Sequence, residues 1–274
     1  MRVFIPVLLA GVLLAGCSDP STPDAQPTAG SSAQAQAAAV PAPPAAPEPV
    51  IGNARTVKES SDLYEFGYAY PATAAAIPGL KALLDKDLEV RKAALVSDAR
   101  QGQAEAKKDD FPYHPYSLVV DWKVVTDLPG WLSMSTIVGV YTGGAHPNYG
   151  FESLLWNRST SRRYAPEDLF VSKAALSAAI KPAFCAELDR QRAKKRQGQE
   201  IGGGIPEFSE CIEPTEQTII LGSSHGKAFN RIGLLVSPYA AGPYAEGDYD
   251  VTVRVTDAVL KAVKPEYLPL FSTR

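Results

Sequence analysis

The chain has 274 residues, with 27 Lys and Arg against 30 Asp and Glu, and a formal net charge of −3 at pH 7. That balance argues against a nucleic-acid partner, because a chain that neutralises phosphates needs clustered cations. Three Cys and three His, none of them at ligand spacing, argue against a metal site and imply no cofactor.

Arg2 precedes an apolar run over residues 3–14 that ends in Leu14-Ala15-Gly16-Cys17. A short positive start, about a dozen apolar residues and small residues before a cut mark a secretory signal, since a membrane span needs ~20. The pattern is that of a lipobox, with residues 1–16 as signal peptide and Cys17 as the acylated N-terminus that ties the chain to a membrane. Losing Arg2 leaves 26 Lys and Arg against 30 Asp and Glu, a net charge of −4. Ser18, not Asp, follows Cys17, so the expected address is the outer membrane, facing the periplasm. Residues 18–50 are dominated by Ala, Pro, Ser, Thr and Gln, which cannot bury a core. Residues 17–52 are therefore expected to be a lipidated, disordered tether, and residues 53–274 one folded domain.

Within that domain, residues 62–70 alternate aromatic or apolar with small or polar side chains and stop at Pro71, which predicts a strand. Pro78 suits a first helical turn, and Leu80, Leu84, Leu88 and Leu95 keep one apolar stripe until Gly102. Residues 117–125 and 131–141 read as strands joined by a turn at Leu128-Pro129-Gly130, with Leu132, Met134, Thr136, Val138 and Val140 on one face. Residues 149–157 return antiparallel and turn again into residues 161–164. Ser172 can cap a long helix with the seam Leu176, Ile180, Phe184 and Leu188, interrupted by Pro182. That helix ends in Arg190, Arg192, Lys194, Lys195 and Arg196, read as a solvated end that suits the helix dipole. Strands follow at residues 216–221, 228–236 and 249–255, with a short helix over residues 257–263. Runs of strands punctuated by two long helices predict an α+β fold with a mostly antiparallel sheet.

With Cys17 assigned to lipid, Cys185 and Cys211 remain in a compartment that permits oxidation and are expected to pair. Gly222-Ser223-Ser224-His225-Gly226 matches the G-x-S-x-G nucleophile elbow in letters, but strand-like residues follow where a helix is needed, and no His comes later. It reads as a hairpin turn. Two runs stand out as candidate binding loops. Tyr141-Thr142-Gly143-Gly144-Ala145-His146-Pro147-Asn148 offers backbone freedom at its glycines, with His146 and Asn148 as hydrogen-bonding groups and Tyr141 and Tyr149 as platforms. Ser237-Pro238-Tyr239-Ala240-Ala241-Gly242-Pro243-Tyr244-Ala245-Glu246-Gly247 spaces aromatics with small residues and breakers. The candidate ligand contacts are Tyr141, Gly143, Gly144, His146, Asn148, Tyr239 and Tyr244.

These two runs, with Tyr164-Ala165-Pro166-Glu167-Asp168-Leu169-Phe170 between them, resemble the extracytoplasmic domain shared by the anti-sigma factor RsiV and the N-terminal part of the peptidoglycan deacetylase PdaC. The resemblance covers nearly all of residues 56–271. It implies an α+β envelope domain that binds rather than catalyses. In RsiV such a domain recognises lysozyme, and in PdaC it precedes a separate deacetylase domain. The Thr-Phe-Asp-Asp and paired-His signals of that deacetylase are missing, so no enzyme activity is expected. The expectation is thus a non-catalytic binding module for a cell-wall glycan such as peptidoglycan or for a lysozyme-like protein. The alternatives are a carboxylate-dependent cell-wall hydrolase, whose paired acids carry no sequence signature, and a purely structural envelope protein.

Overall fold

The computed structural model describes residues 52–199 and 204–274. The expected signal peptide, Cys17 and almost all of the expected tether lie outside these residues.

Two sheets and two long helices make up the α+β fold. The first sheet has the order β1-β2-β3-β4-β5-β6, with β1 (Arg55–Ser60), β2 (Tyr64–Tyr70), β3 (Tyr116–Asp127), β4 (Trp131–Tyr141), β5 (Asn148–Asn157) and β6 (Arg162–Tyr164). Every neighbouring pair is antiparallel except β2 with β3. Parallel strands cannot be joined by a hairpin. A short helix α1 (Ala72–Ala75) and the 31-residue α2 (Pro78–Lys108) provide the crossover. α2 starts with Pro78 in its first turn, as the sequence predicts, but continues past Gly102. Gly102 does not end the helix because it is a contact point: a Cβ there would fall on the Tyr116 hydroxyl. β1 escapes the sequence reading because Arg-Thr-Val-Lys-Glu-Ser is mostly exposed at a sheet edge and shows no apolar alternation. A charged edge strand of this kind also discourages pairing with other chains.

The second sheet has the order β7-β8-β9, all antiparallel, built from β7 (Thr218–Gly222), β8 (Arg231–Val236) and β9 (Tyr249–Arg254). α3 (Lys173–Arg196) covers it, opened by Ser172, whose hydroxyl accepts the Ala175 N–H at 3.0 Å. The short helices α4 (Pro206–Ser209) and α5 (Asp257–Ala262) complete the chain, α5 capped by Thr256.

Strand alternation sends adjacent residues into different cores. Leu132, Met134, Leu154 and Trp156 join Phe66, Tyr68, Val120 and Trp122 beneath the Leu80, Leu84, Leu88 and Leu95 stripe of α2. Trp131 and Leu155, one position away, point the other way and join Ile219, Leu221, Ile232, Leu234, Val251 and the α3 seam Leu176, Ile180, Phe184 and Leu188. The Ser223 N–H to Thr126 and the Thr218 hydroxyl to the Phe151 carbonyl, each 2.9 Å, stitch the two sheets. Ser223 itself lies in the turn between the antiparallel β7 and β8, where its hydroxyl accepts the Gly226 N–H at 2.9 Å. The G-x-S-x-G letters thus serve a turn.

Burying Leu84, fully enclosed between α2 and the first sheet, ties this core together. Leu84→Ala should lower unfolding free energy by about 2–5 kcal/mol, through lost burial and the cavity left behind, as read by denaturant titration.

Candidate functional site

The two loops singled out in the sequence meet. The 143–148 loop joins β4 to β5, and the 237–248 connection joins β8 to β9. Gly143 and Gly144 adopt φ values of 88° and 102°, which a side chain would strain. The Tyr141 hydroxyl donates to the Gly144 carbonyl at 3.1 Å and fixes the turn. His146 Nδ1 donates to the Pro147 carbonyl at 2.8 Å, which leaves Nε2 as acceptor for the Tyr239 hydroxyl at 3.4 Å. The His146 ring stacks on Tyr244, centroids 4.1 Å apart, and the Tyr244 hydroxyl donates to the Pro147 carbonyl at 2.8 Å. Tyr239 lies 5.5 Å from Tyr244, so three rings from two distant parts of the chain form one aromatic cluster.

Beside this cluster opens a cleft of about 410 Å³ lined by Ile137, Gly139, Pro147, Asn148, Tyr149, Tyr244 and Asp248. Ile137 is 51% exposed. It faces away from the α2 core, on the side of the first sheet that the second sheet leaves partly open. The Tyr149 hydroxyl donates to Asp248 at 2.6 Å, and burial together with that carboxylate pushes the phenol up to about 12. It is therefore a neutral donor at physiological pH. Asn148 uses its side-chain oxygen on the Tyr149 N–H, leaving its amide NH₂ for other partners.

Of the predicted contacts, Asn148 and Tyr244 line the cleft, His146 and Tyr239 build the adjoining cluster, and Tyr141, Gly143 and Gly144 shape the turn. Ile137, Gly139, Pro147 and Asp248 were not foreseen. A signal existed for one of them: on the face shared by Ser133, Ser135, Ile137 and Gly139, a single Ile among Ser and Gly has no core to join.

The basic run at the end of α3 needs correction. It is not simply solvated. Arg192 is 3% exposed, and its guanidinium donates to the carbonyls of Ala241 at 3.0 Å, Glu210 at 2.8 Å and Glu207 at 2.6 Å. Arg196 forms a buried two-pronged pair with Glu246, at 2.8 and 3.1 Å. Lys195 donates to the Glu246 carbonyl at 2.7 Å and to the Asp248 carbonyl, with its ammonium 4.0 Å over the Tyr249 ring. Sequence could not show this, because the acceptors are mostly backbone carbonyls of segments distant in the chain. Gly242 is required by the same arrangement: a Cβ there would collide with the Glu246 carboxylate. Cys185 and Cys211 are joined in a disulfide, with Cα atoms 5.4 Å apart. Among the described residues, no group of three or more His, Cys, Asp and Glu could hold a metal ion, and no helix is long and apolar enough to cross a membrane.

Tyr239 is 48% exposed and sits at φ 70°, a left-handed conformation that costs a bulky residue roughly 1–2 kcal/mol. Tyr239→Gly should therefore unfold at higher denaturant than the parent, despite losing an aromatic ring. Burial raises the Glu246 carboxyl, but hydrogen bonds from Arg196 and Tyr249 outweigh it and hold the group below its usual 4.5. The stability from that pairing is present above pH 4.5 and is lost as pH falls through the depressed value. Acid titration followed by tyrosine fluorescence should show this loss, and Glu246→Gln should remove that part of the pH dependence.

Residues 57–149, from β1 to the start of β5, match a family model described as Deacetylase PdaC. No curated protein matches the chain. Among solved structures, a DUF3298 family protein from Pseudomonas aeruginosa is similar at 15% identity and a TM-score of 0.45, over 81% of this chain and 98% of that one. A DUF3298 family member from Bacteroides fragilis is similar at 17% identity and a TM-score of 0.48, over 82% of this chain and 99% of that one. The stretch similar to that family model, residues 57–149, holds α2, the centre of the first sheet and the 143–148 loop.

Proposed function

We propose that this chain is an outer-membrane lipoprotein facing the periplasm, anchored through Cys17, whose folded part binds a cell-wall glycan in the cleft between the two loops. The observation that carries the reading is the convergence of Tyr149, Tyr244, Asn148 and Asp248 around the exposed Ile137. Sugar rings present one apolar C–H face and a rim of hydroxyls. Tyrosine rings and Ile137 match the face, and the second oxygen of the Asp248 carboxylate, the Asn148 amide NH₂ and the phenol oxygens match the rim. The strained, exposed Tyr239 beside them fits a binding surface better than a packing role, since strain persists where other demands outweigh local stability. Asp248 is the single carboxylate among the lining residues, whereas glycosidic cleavage of the usual kind needs two acids roughly 5–9 Å apart. That speaks for retention over hydrolysis.

Capture of the protein on insoluble peptidoglycan, beside capture on immobilised lysozyme, tests the reading. Tyr244→Ala and Asn148→Ala should each raise the Kd for peptidoglycan about tenfold, the effect of losing ~1.4 kcal/mol of contact. Retention on lysozyme alone, lost in the same variants, would assign the cleft to a protein partner. Retention on neither would leave the reading without support. For the anchor, Cys17→Ser should abolish incorporation of a palmitate analogue and release the protein from the membrane fraction.

A further inference from the structure

We infer that the Cys185–Cys211 disulfide and the guanidinium of Arg192 act as one positioning device for the aromatic half of the 239–248 loop, so that the shape of the cleft depends on the oxidation state of the two cysteines. The inference rests on the proposed binding role of that loop. Its physical part stands on geometry alone.

Cys185 and Arg192 are seven residues apart on α3, close to two helical turns, so they share a face about 10 Å apart along the axis. The segment 207–213 runs antiparallel along that face. Glu213 accepts from Lys181 at 3.0 Å, Cys211 is bonded to Cys185, and the carbonyls of Glu210 and Glu207 both accept from Arg192. The third carbonyl on the same guanidinium belongs to Ala241, between Tyr239 and Tyr244. One rigid planar fork thus joins a segment fastened by the disulfide to a loop that carries two cleft-side aromatics.

The consequence follows from the cost of a buried charge. Without the disulfide, the polar ties of segment 207–211 to α3 are the half-exposed Lys181–Glu213 pair at one end and Arg192 at the other, beside the partly buried packing of Cys211 and Ile212 on the second core. When its two carbonyls drift away, a guanidinium that is 3% exposed loses two acceptors and turns towards water and the exposed Asp189 carboxylate, 3.3 Å from it. Turning leaves the Ala241 carbonyl with only a long 3.5 Å contact from Arg196. The far end of the loop stays in place, because Arg196 and Lys195 hold Glu246 and Asp248 independently. Loosening is therefore confined to residues 239–244, the half that stacks on His146.

A route for the chemistry is present. Both cysteines are only partly buried, and Cys211 lines a surface depression of about 190 Å³ together with Pro206, Glu207, Glu210 and Ile212. The co-reactant is a dithiol. Its thiolate attacks one sulfur, the S–S bond breaks to a mixed disulfide, and its second thiol displaces the remaining protein sulfur. Two electrons and two protons end on Cys185 and Cys211, and the donor leaves as a disulfide.

Hydrogen exchange on the full chain, without ligand, tests this in oxidised protein, protein reduced with dithiothreitol, and the Cys185→Ser/Cys211→Ser variant. Amides of residues 240–245 should exchange roughly tenfold faster in the latter two, while those of β9 stay unchanged, as expected for a local opening. Arg192→Met should show the same local increase, and reduction should add nothing in that background, because both changes act through one contact. Arg192→Lys, which keeps the charge but loses the fork, should resemble Arg192→Met. Unchanged exchange at 240–245 after verified reduction, or an additive effect in Arg192→Met, overturns the device. If Arg192→Met does not fold, the double cysteine variant and the reduced parent decide alone. A loop that loosens on reduction in a protein that captures no glycan would confirm the device and refute the binding reading, so the two failures are distinguishable.

Discussion

A buried guanidinium shapes the end of this molecule where the candidate site lies. Charge is expelled from a protein interior unless it is paired and hydrogen-bonded, and Arg192 draws three carbonyls from two separate segments onto the last turns of α3, with the Asp189 carboxylate 3.3 Å away. The 239–248 loop has no regular structure beyond a single 3-10 turn. It owes its course to Arg192, Lys195 and Arg196, and those residues in turn lie where the α3 seam places them on the second sheet. Helix, disulfide segment and aromatic loop are thus one connected unit.

The first sheet contributes the other wall by leaving part of itself uncovered. Its α2 side is fully used: Tyr68 and Tyr70 bury their rings and pass their hydroxyls to Asp87 and Asp85 at the helix margin, at 2.8 and 2.7 Å. Trp122 donates to Tyr68 at 3.1 Å, and Arg91 bridges Asp87 to Glu152 of β5. The opposite side is shared. Towards Trp131 and Leu155 it packs into the second core, whereas Val119 and Ile137 remain half in solvent. A cleft forms at this boundary, where an open sheet face meets a loop held by the neighbouring layer.

Much of the fold was legible because it rests on local periodicity. The Leu80 to Leu95 stripe, the Leu176 to Leu188 seam with its Ser172 cap, and the alternation through β4 each encode one buried face. β1 was invisible because an exposed edge strand needs no apolar pattern, and α2 outran its predicted end because Gly102 answers to Tyr116, a residue in the next strand. Both loops were legible as unusual composition. Their contact was not, since it depends on how the second sheet docks against the first.

The sequence by itself determined the element types, the two apolar stripes, the pairing of the two cysteines that remained after Cys17 was assigned to lipid, and the aromatic and glycine content of both loops. These are properties of residue chemistry and short-range spacing, which a linear chain expresses directly. Only the tertiary structure decided that β2 and β3 run parallel, that one strand feeds two cores, that His146 stacks on Tyr244, and that Arg192, read along the chain as one more surface cation, is buried. Each of those depends on partners 49 or more residues away or on backbone carbonyls, which are identical in every residue and carry no mark in the sequence.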